Sequence, residues 1–395
     1  MVNYTEGINP GILKWAREKS GYSLDKIAQK IKKKIDVIRE WESGKSVPTY
    51  IQLEQLANKI YKRPIALFFF PEPPPEPDVR QKFRTLPSFK IDQLSPDTLY
   101  AIRQAKAMQI ALAELNDGIN PSPQKVFRDI QLDFHLDLSV ETNKVRDYLG
   151  ISLEKQVEWG SSRDALNQWR EVIQDKGVFV FKRSFKEKGI SGFCLTDKEF
   201  PVIYLNNSTT ATRQIFSIFH ELSHILLKIN GITIPYDRYI DSLSGVSKDI
   251  EVFCNKFASE FLVPYEDFRH RIDRTFVNED IEVFANKMAM HYKVSREVIL
   301  RKLLDAGKID RELCEYKASQ WNAEYIKKTK DKQSGKGGGN YYATQATYLG
   351  EEFLTQAFNR YYQGRCTIEQ LAGYLNIKEK NIPALEDFIM SRKSR

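Results

Sequence analysis

The segment of this 395-residue chain best suited to chemistry is His220-Glu221-Leu222-Ser223-His224. The two histidines stand four residues apart inside an apolar pattern of helical spacing, Ile215, Phe219, Leu222, Ile225 and Leu226. That spacing puts both imidazoles on one helix face, a turn apart, where two neutral ring nitrogens can hold the same metal ion. Glu221 emerges beside them, placed to take a proton from a metal-activated water and pass it to a leaving amine. One zinc ion is the expected cofactor, with manganese as the alternative. Such a centre needs a third protein ligand and keeps one position for water. No histidine follows at short spacing, so a carboxylate from a later helix is favoured. Glu251 and Glu282 compete for the role, each inside one copy of a near-repeat, Asp249-Ile-Glu-Val-Phe-Cys-Asn-Lys-Phe-Ala258 and Asp280-Ile-Glu-Val-Phe-Ala-Asn-Lys-Met-Ala289. Two copies are too few for a solenoid. The bland alternatives are a His-x-x-x-His pair kept for packing and a glutamate that is only a solvated helix charge.

The elements that must carry these residues can be read around them. Short apolar runs at 178–181, 192–195 and 201–205 lie between turn residues and read as strands. Helical periodicity covers 97–115, 140–149, 164–175, 250–262, 281–292 and 295–304, with a last helical piece from Tyr348 onward. The expected class is α+β, mostly α. Upstream, apolar residues recur at helical spacing from Ile12 to Tyr61, with Ser23 as an N-cap and Gly44 as a stop, giving four or five short helices. Pro71-Glu-Pro-Pro-Pro-Glu-Pro77 then interrupts all regular structure. The expected boundaries are a helical module over 1–66, a proline-rich linker over 67–95, a catalytic domain over 96–265 and its helical extension over 266–326. A flexible Gly/Lys loop over 327–340 and a helical segment over 341–395 complete the division.

The formal net charge is +8, and residues 1–64 hold 13 Lys/Arg against 7 Asp/Glu, so most of the excess sits at the N-terminal end. A clustered basic face suits a phosphate backbone. Cys194, Cys254, Cys314 and Cys366 are far apart and form no Cys-x-x-Cys, which argues against a disulfide framework or a thiolate zinc site. No apolar run approaches the ~20 residues that cross a bilayer, and Met-Val-Asn-Tyr-Thr-Glu lacks the features of an export signal. A cytoplasmic location without membrane association is expected.

Arg213 to Leu227, followed by Glu251 to Pro264, resembles the ImmA/IrrE metallopeptidase family. Its second motif has Glu, two residues, Ala-Asn, one residue and Phe-Ala before a leucine-rich step to Pro; here Cys254 stands for the small Ala. The resemblance implies that the metal ligands are His220, His224 and Glu251, with Glu221 catalytic. It places Asn255 one turn after Glu251, where it could orient a ligand histidine. It also covers Ser191-Gly192-Phe193 and Pro201 to Asn207, and so implies that Ile203, Tyr204 and Leu205 form an edge strand receiving peptide by β-addition. Tyr236, Arg238, Tyr239 and His270 are candidate oxyanion donors, though ordinary surface or packing roles suit each of them as well.

Residues 12–60 resemble the Cro/cI-type (Xre) helix-turn-helix through Ser23 to Ala28 and the segment Trp41-Glu42-Ser43-Gly44-Lys45 to Pro48. The third helix would enter the major groove of double-stranded DNA. Lys32-Lys33-Lys34 replaces the usual Gly-Val-Ser of the turn, and the base-reading positions Ile35, Asp36, Val37 and Glu40 are apolar or acidic. Asp36 suits a cytosine amino group. Lys32, Lys33, Lys34, Arg39 and Lys45 can grip phosphates. A protein-interaction module with a solvated lysine face is the competing reading.

Together with Phe83-Arg-Thr-Leu-Pro87 and Gly337-Gly-Gly-Asn-Tyr-Tyr342, these features resemble fused Xre/ImmA regulators. The expectation is a DNA-binding regulator that cleaves a partner protein, such as a repressor, in mobile-element or stress control. The alternative is an antitoxin-like protein that neutralises a partner toxin and autoregulates its operon with little turnover. A purely structural metal is a third reading, less suited to an open ligand set. A homodimer is left open.

Overall fold

A computed structural model describes residues 5–76, 94–185, 189–233, 243–276, 280–333 and 340–393. The class is α+β, mostly α, and the chain divides into two units, one of residues 1–104 with 185–187 and one of 105–184 with 188–395.

In the first unit the helices that begin at Pro10, Leu24 and Tyr50 each have a local cause for their start. Asn9 caps α1 (Pro10–Lys19), whose proline at the first turn needs no N–H partner. Ser23 caps α2 (Leu24–Ile31), and Gly44, at φ +77°, stops α3 (Ile35–Ser43) in a conformation that costs glycine little. Thr49 and Gln52 form a capping box on α4 (Tyr50–Glu54), which winds on as a π-helix through Gln55–Tyr61. Ile12, Ala16, Ile27, Ile38, Trp41, Leu53 and Leu56 make the core. The buried Arg17 guanidinium clamps Glu42 with two bonds, 2.7 and 3.0 Å, tying α3 to α1. A 3-10 turn, Ile65–Phe69, adds Leu67 and Phe68 to the same core. Asn9 Nδ2 secures it by donating to the carbonyls of Phe70 and Pro71. The expected linker therefore does not begin at residue 67. The apolar run before the prolines is buried in the helical module, because leaving Phe68 in water would forfeit about 1.5–3 kcal/mol. Residues 77–93 lie outside the described residues, and with them the Phe83–Pro87 segment.

The division between units falls within α5 (Pro96–Leu115). The second unit continues with α6 (Val126–Asp129), α7 (Leu138–Leu149), α8 (Leu153–Glu158) and α9 (Ser162–Asp175). Three strands follow, β1 (Phe179–Arg183), β2 (Gly192–Leu195) and β3 (Val202–Asn206), then α10 (Ala211–Leu226) and the two-residue β4 (Ile232–Thr233). The rest is helical: α11 (Gly245–Leu262), α12 (Tyr265–Thr275), α13 (Ile281–Tyr292), α14 (Arg296–Asp305) and α15 (Arg311–Gln333). The last four helices are α16 (Tyr341–Leu349), α17 (Glu351–Tyr362), α18 (Ile368–Leu375) and α19 (Ile382–Lys393).

The sheet order is β1-β3-β2-β4, with β1 and β3 parallel and the other pairs antiparallel. The sheet packs on α10, which also meets α9 and α11. Edge-on contact of Trp169 with Phe219 at 4.7 Å and stacking of Phe219 on Phe261 at 4.1 Å lock those three helices together. Helix α15 runs to Gln333, inside the stretch 327–340 expected to be a loop. Lys327 to Gln333 contains neither Gly nor Pro, so nothing local ends the helix there. Gly337-Gly338-Gly339 lies outside the described residues.

Candidate metal centre

Thr210 caps α10 by accepting from the Arg213 amide, and the helix then buries twelve of its residues, His220, Glu221 and His224 among them. Apolar residues line its stripe, so polar groups on it persist only if something pairs them. What pairs them is α11. Its Glu251, 2% exposed, lies with Oε2 3.4 Å from His220 Nε2 and Oε1 3.4 Å from His224 Nε2, and the two Nε2 atoms are 3.2 Å apart. Zinc bonds of about 2.0–2.1 Å put two ligands of a tetrahedral ion about 3.3 Å apart. The Glu251 carboxylate thus straddles the two imidazoles, one oxygen near each ring nitrogen, and one ligand atom from each of the three residues lies within 4.8 Å of the others, a set that one ion can join. Among the described residues this is the one such cluster of His, Cys, Asp and Glu.

The electrostatics agree with that fit. Burial opposes charge on Glu251, but His224 and His220 outweigh it and hold the carboxyl at about 2. Burial likewise opposes an imidazolium at His224, while neighbouring Cys254 and Glu251 prevail and raise its pKa well above 6.5. The centre is built for positive charge, which a proton supplies when no metal does. Glu251 Oε1 is buried without a hydrogen-bond partner among the described residues, as expected of an oxygen reserved for a cation. Asn255, one turn after Glu251, has Oδ1 2.9 Å from His220 Nδ1. Nδ1–H donates there and Nε2 keeps its lone pair for metal.

Two neighbours of the triad carry roles that sequence reasoning did not assign. A Cβ on Gly231 would lie 2.3 Å from the His224 ring, so only glycine lets the chain pass there. Cys194 Sγ accepts from the Gly231 amide at 3.2 Å while its own amide donates to the Gly231 carbonyl, holding that segment on β2. Asn230-Gly231 after a helix reads as a turn, and only the tertiary contact shows the glycine serving a ligand. Burial pushes the Cys194 and Cys254 thiols up, which suits packing residues better than thiolate ligands.

The other candidates fall in different places. Glu282, in the first turn of α13, pairs with Lys317 and keeps 38% of its side chain exposed, so it is not in the centre. Ile203, Tyr204 and Leu205 do not form an edge. β3 is paired on both sides and all five of its residues are buried. Its continuous apolar character is that of an interior strand, with no free backbone groups to offer a peptide. The short strand lying beyond β2 is β4, paired through Gly192 and Phe193. His270 is exposed on α12, while Tyr236, Arg238 and Tyr239 lie outside the described residues.

Residues 13–60 match the family described as helix-turn-helix, and residues 173–304 match peptidase family M78, described as IrrE N-terminal-like domain. The chain joins a helix-turn-helix to an IrrE-type domain. The IrrE-type match takes in α10, α11, Glu251 and Asn255 together with the sheet. A solved structure titled Mycobacterium tuberculosis transcriptional regulator is similar over 50% of this chain and 51% of its own, at 15% identity and TM-score 0.30. The chain thus spans about half the length of that relative. No curated protein matches.

In the helix-turn-helix, Lys32, Lys33, Lys34, Asp36, Arg39 and Lys45 are all exposed. Lys32 sits at φ 55° where α2 ends, the position that glycine usually fills. Asp25, Gln29, the three lysines, Asp36 and Arg39 border an open hollow between α2 and α3. Arg39 is held by Asp36 at 3.0 Å in an exposed pair. Among the described residues no helix is long and apolar enough to cross a membrane.

Proposed function

We propose that this chain is a DNA-binding regulator whose IrrE-type domain uses one zinc ion to hydrolyse a peptide bond in a partner regulatory protein. The observation that carries the reading is the spacing of the His220, His224 and Glu251 ligand atoms, 3.2 to 3.4 Å, at tetrahedral separation. Zinc held there supplies Lewis acidity toward water and a peptide carbonyl. Glu221 adjoins both ligand histidines on α10; in this reading it takes a proton from the attacking water and returns it to the leaving amine. Asn255 keeps His220 in the tautomer that coordinates. The helix-turn-helix supplies the address on DNA: Lys32, Lys33, Lys34, Arg39 and Lys45 meet phosphates, and Asp36 faces the bases.

The test compares wild type with Glu221→Gln. Both should hold one zinc per chain by mass spectrometry, and new protein N-termini should arise only in cells expressing the wild type. A chain without zinc removes the metal reading. Equal sets of termini with zinc retained remove the peptidase reading and leave a binding protein.

A further inference from the structure

Another buried charge cluster lies on α9 and β1, elements that hold no metal ligand. Lys182 of β1 is 5% exposed, and Arg170 of α9 is 8% exposed. Arg170 donates to the carbonyls of Val180 at 2.8 Å and Thr347 at 3.2 Å, while its Nε has no hydrogen-bond partner among the described residues. β1 returns beside α9 after the turn at Lys176-Gly177, and Lys182, two residues after Val180, lies on the same strand face; Arg163, seven residues before Arg170, shares its face of α9. Arg163 is exposed and opens that end of the cluster to solvent. Among the described residues none of the three has a carboxylate at ion-pair distance. Glu171 acts on Arg170 but is itself faced by Glu351 and Asp175. Burial, with Arg170 and Arg163 close by, draws the Lys182 amine down to about 7. Buried cations are ordinarily paired, because removing them from water costs several kcal/mol each, by order-of-magnitude estimate.

We propose that Lys182, Arg170 and Arg163 form a binding site for a phosphoryl dianion, either free phosphate or the phosphate of a small monoester. Three basic side chains with no carboxylate at ion-pair distance among the described residues call for more than one negative charge, which favours a dianion over chloride or a lone carboxylate. Guanidinium forks match tetrahedral oxyanions, and an amine poised near neutrality gains a proton as the anion arrives.

Calorimetry on the full chain tests this, with inorganic phosphate, glycerol phosphate and chloride at matched ionic strength in two buffers of different ionisation heat. Phosphate should bind at one site with proton uptake. Lys182→Met should abolish the uptake, and the exposed Arg163→Gln should weaken binding about tenfold at unchanged zinc content. Tighter binding of glycerol phosphate identifies an ester as the source, and equal binding identifies free phosphate. Chloride heats equal to those of phosphate would overturn the proposal, as would undiminished phosphate binding in Arg163→Gln.

Discussion

Asp249–Ala258 and Asp280–Ala289 differ at two of their ten positions, yet one sets its glutamate against His220 and His224 and the other holds its glutamate in a surface ion pair. Both are helical and both bury the same stripe, Phe253, Cys254, Phe257 and Ala258 in α11 and Phe284, Ala285, Met288 and Ala289 in α13. The difference lies at the preceding turn. α11 begins at Gly245, so Glu251 is well inside a helix packed against α10 and α7. α13 begins at Ile281, capped by Asp280, so Glu282 stands at an end that solvent reaches. A decapeptide specifies its helix and apolar stripe; what faces the flank of that stripe decides whether its glutamate is a ligand.

The sharpest way to break the comparison is to remove each glutamate. Glu251→Ala should lower zinc affinity on the order of a thousandfold, read by competition with a chromophoric chelator, whereas Glu282→Ala should leave it unchanged. If Glu282→Ala loses zinc and Glu251→Ala keeps it, the assignment is reversed. Acidity sharpens the same contrast. In the metal-free protein the raised His224 pKa contributes stability that is fully present below pH 6.5 and is lost as pH rises through the folded value. Zinc must displace that proton, so zinc affinity should rise over the same pH range, a dependence that Glu251→Ala should shift to lower pH and Glu282→Ala should leave in place.

Asn255→Ala should weaken zinc binding about 10–100-fold, since His220 loses the acceptor that sets its tautomer, while Asn286→Ala, at an exposed position of α13, should do nothing. Gly231→Ala should cost about 1–3 kcal/mol in chemical denaturation and loosen zinc, because its methyl meets the His224 ring. At the other copy, Lys317→Ala removes only the partner of Glu282 and should cost less than about 1 kcal/mol.

Much of the centre was legible because its geometry is local. His220 and His224 share a helix face by spacing alone, and Ser23 and Gly44 punctuate helices through bonds to their own neighbours. Asn255 follows from Glu251 by one helical turn. The edge role expected of Ile203 to Leu205 did not hold, since an apolar strand does not announce how many neighbours it has, and here β1 and β2 take both sides. The residues just before the proline run were not legible as part of the helical module, because Phe68 finds its core across more than fifty residues of chain.

The sequence by itself determined the helix-turn-helix, the paired imidazoles and the mostly helical α+β class, since each rests on contacts within a few turns of chain. The family resemblance already favoured Glu251 over its near-copy, but only the tertiary structure set its carboxylate against both imidazoles, pressed Gly231 against the His224 ring and left Lys182 buried beside Arg170. Those outcomes depend on which elements pack face to face, and burial of a charge is a property of its surroundings rather than of its own residue.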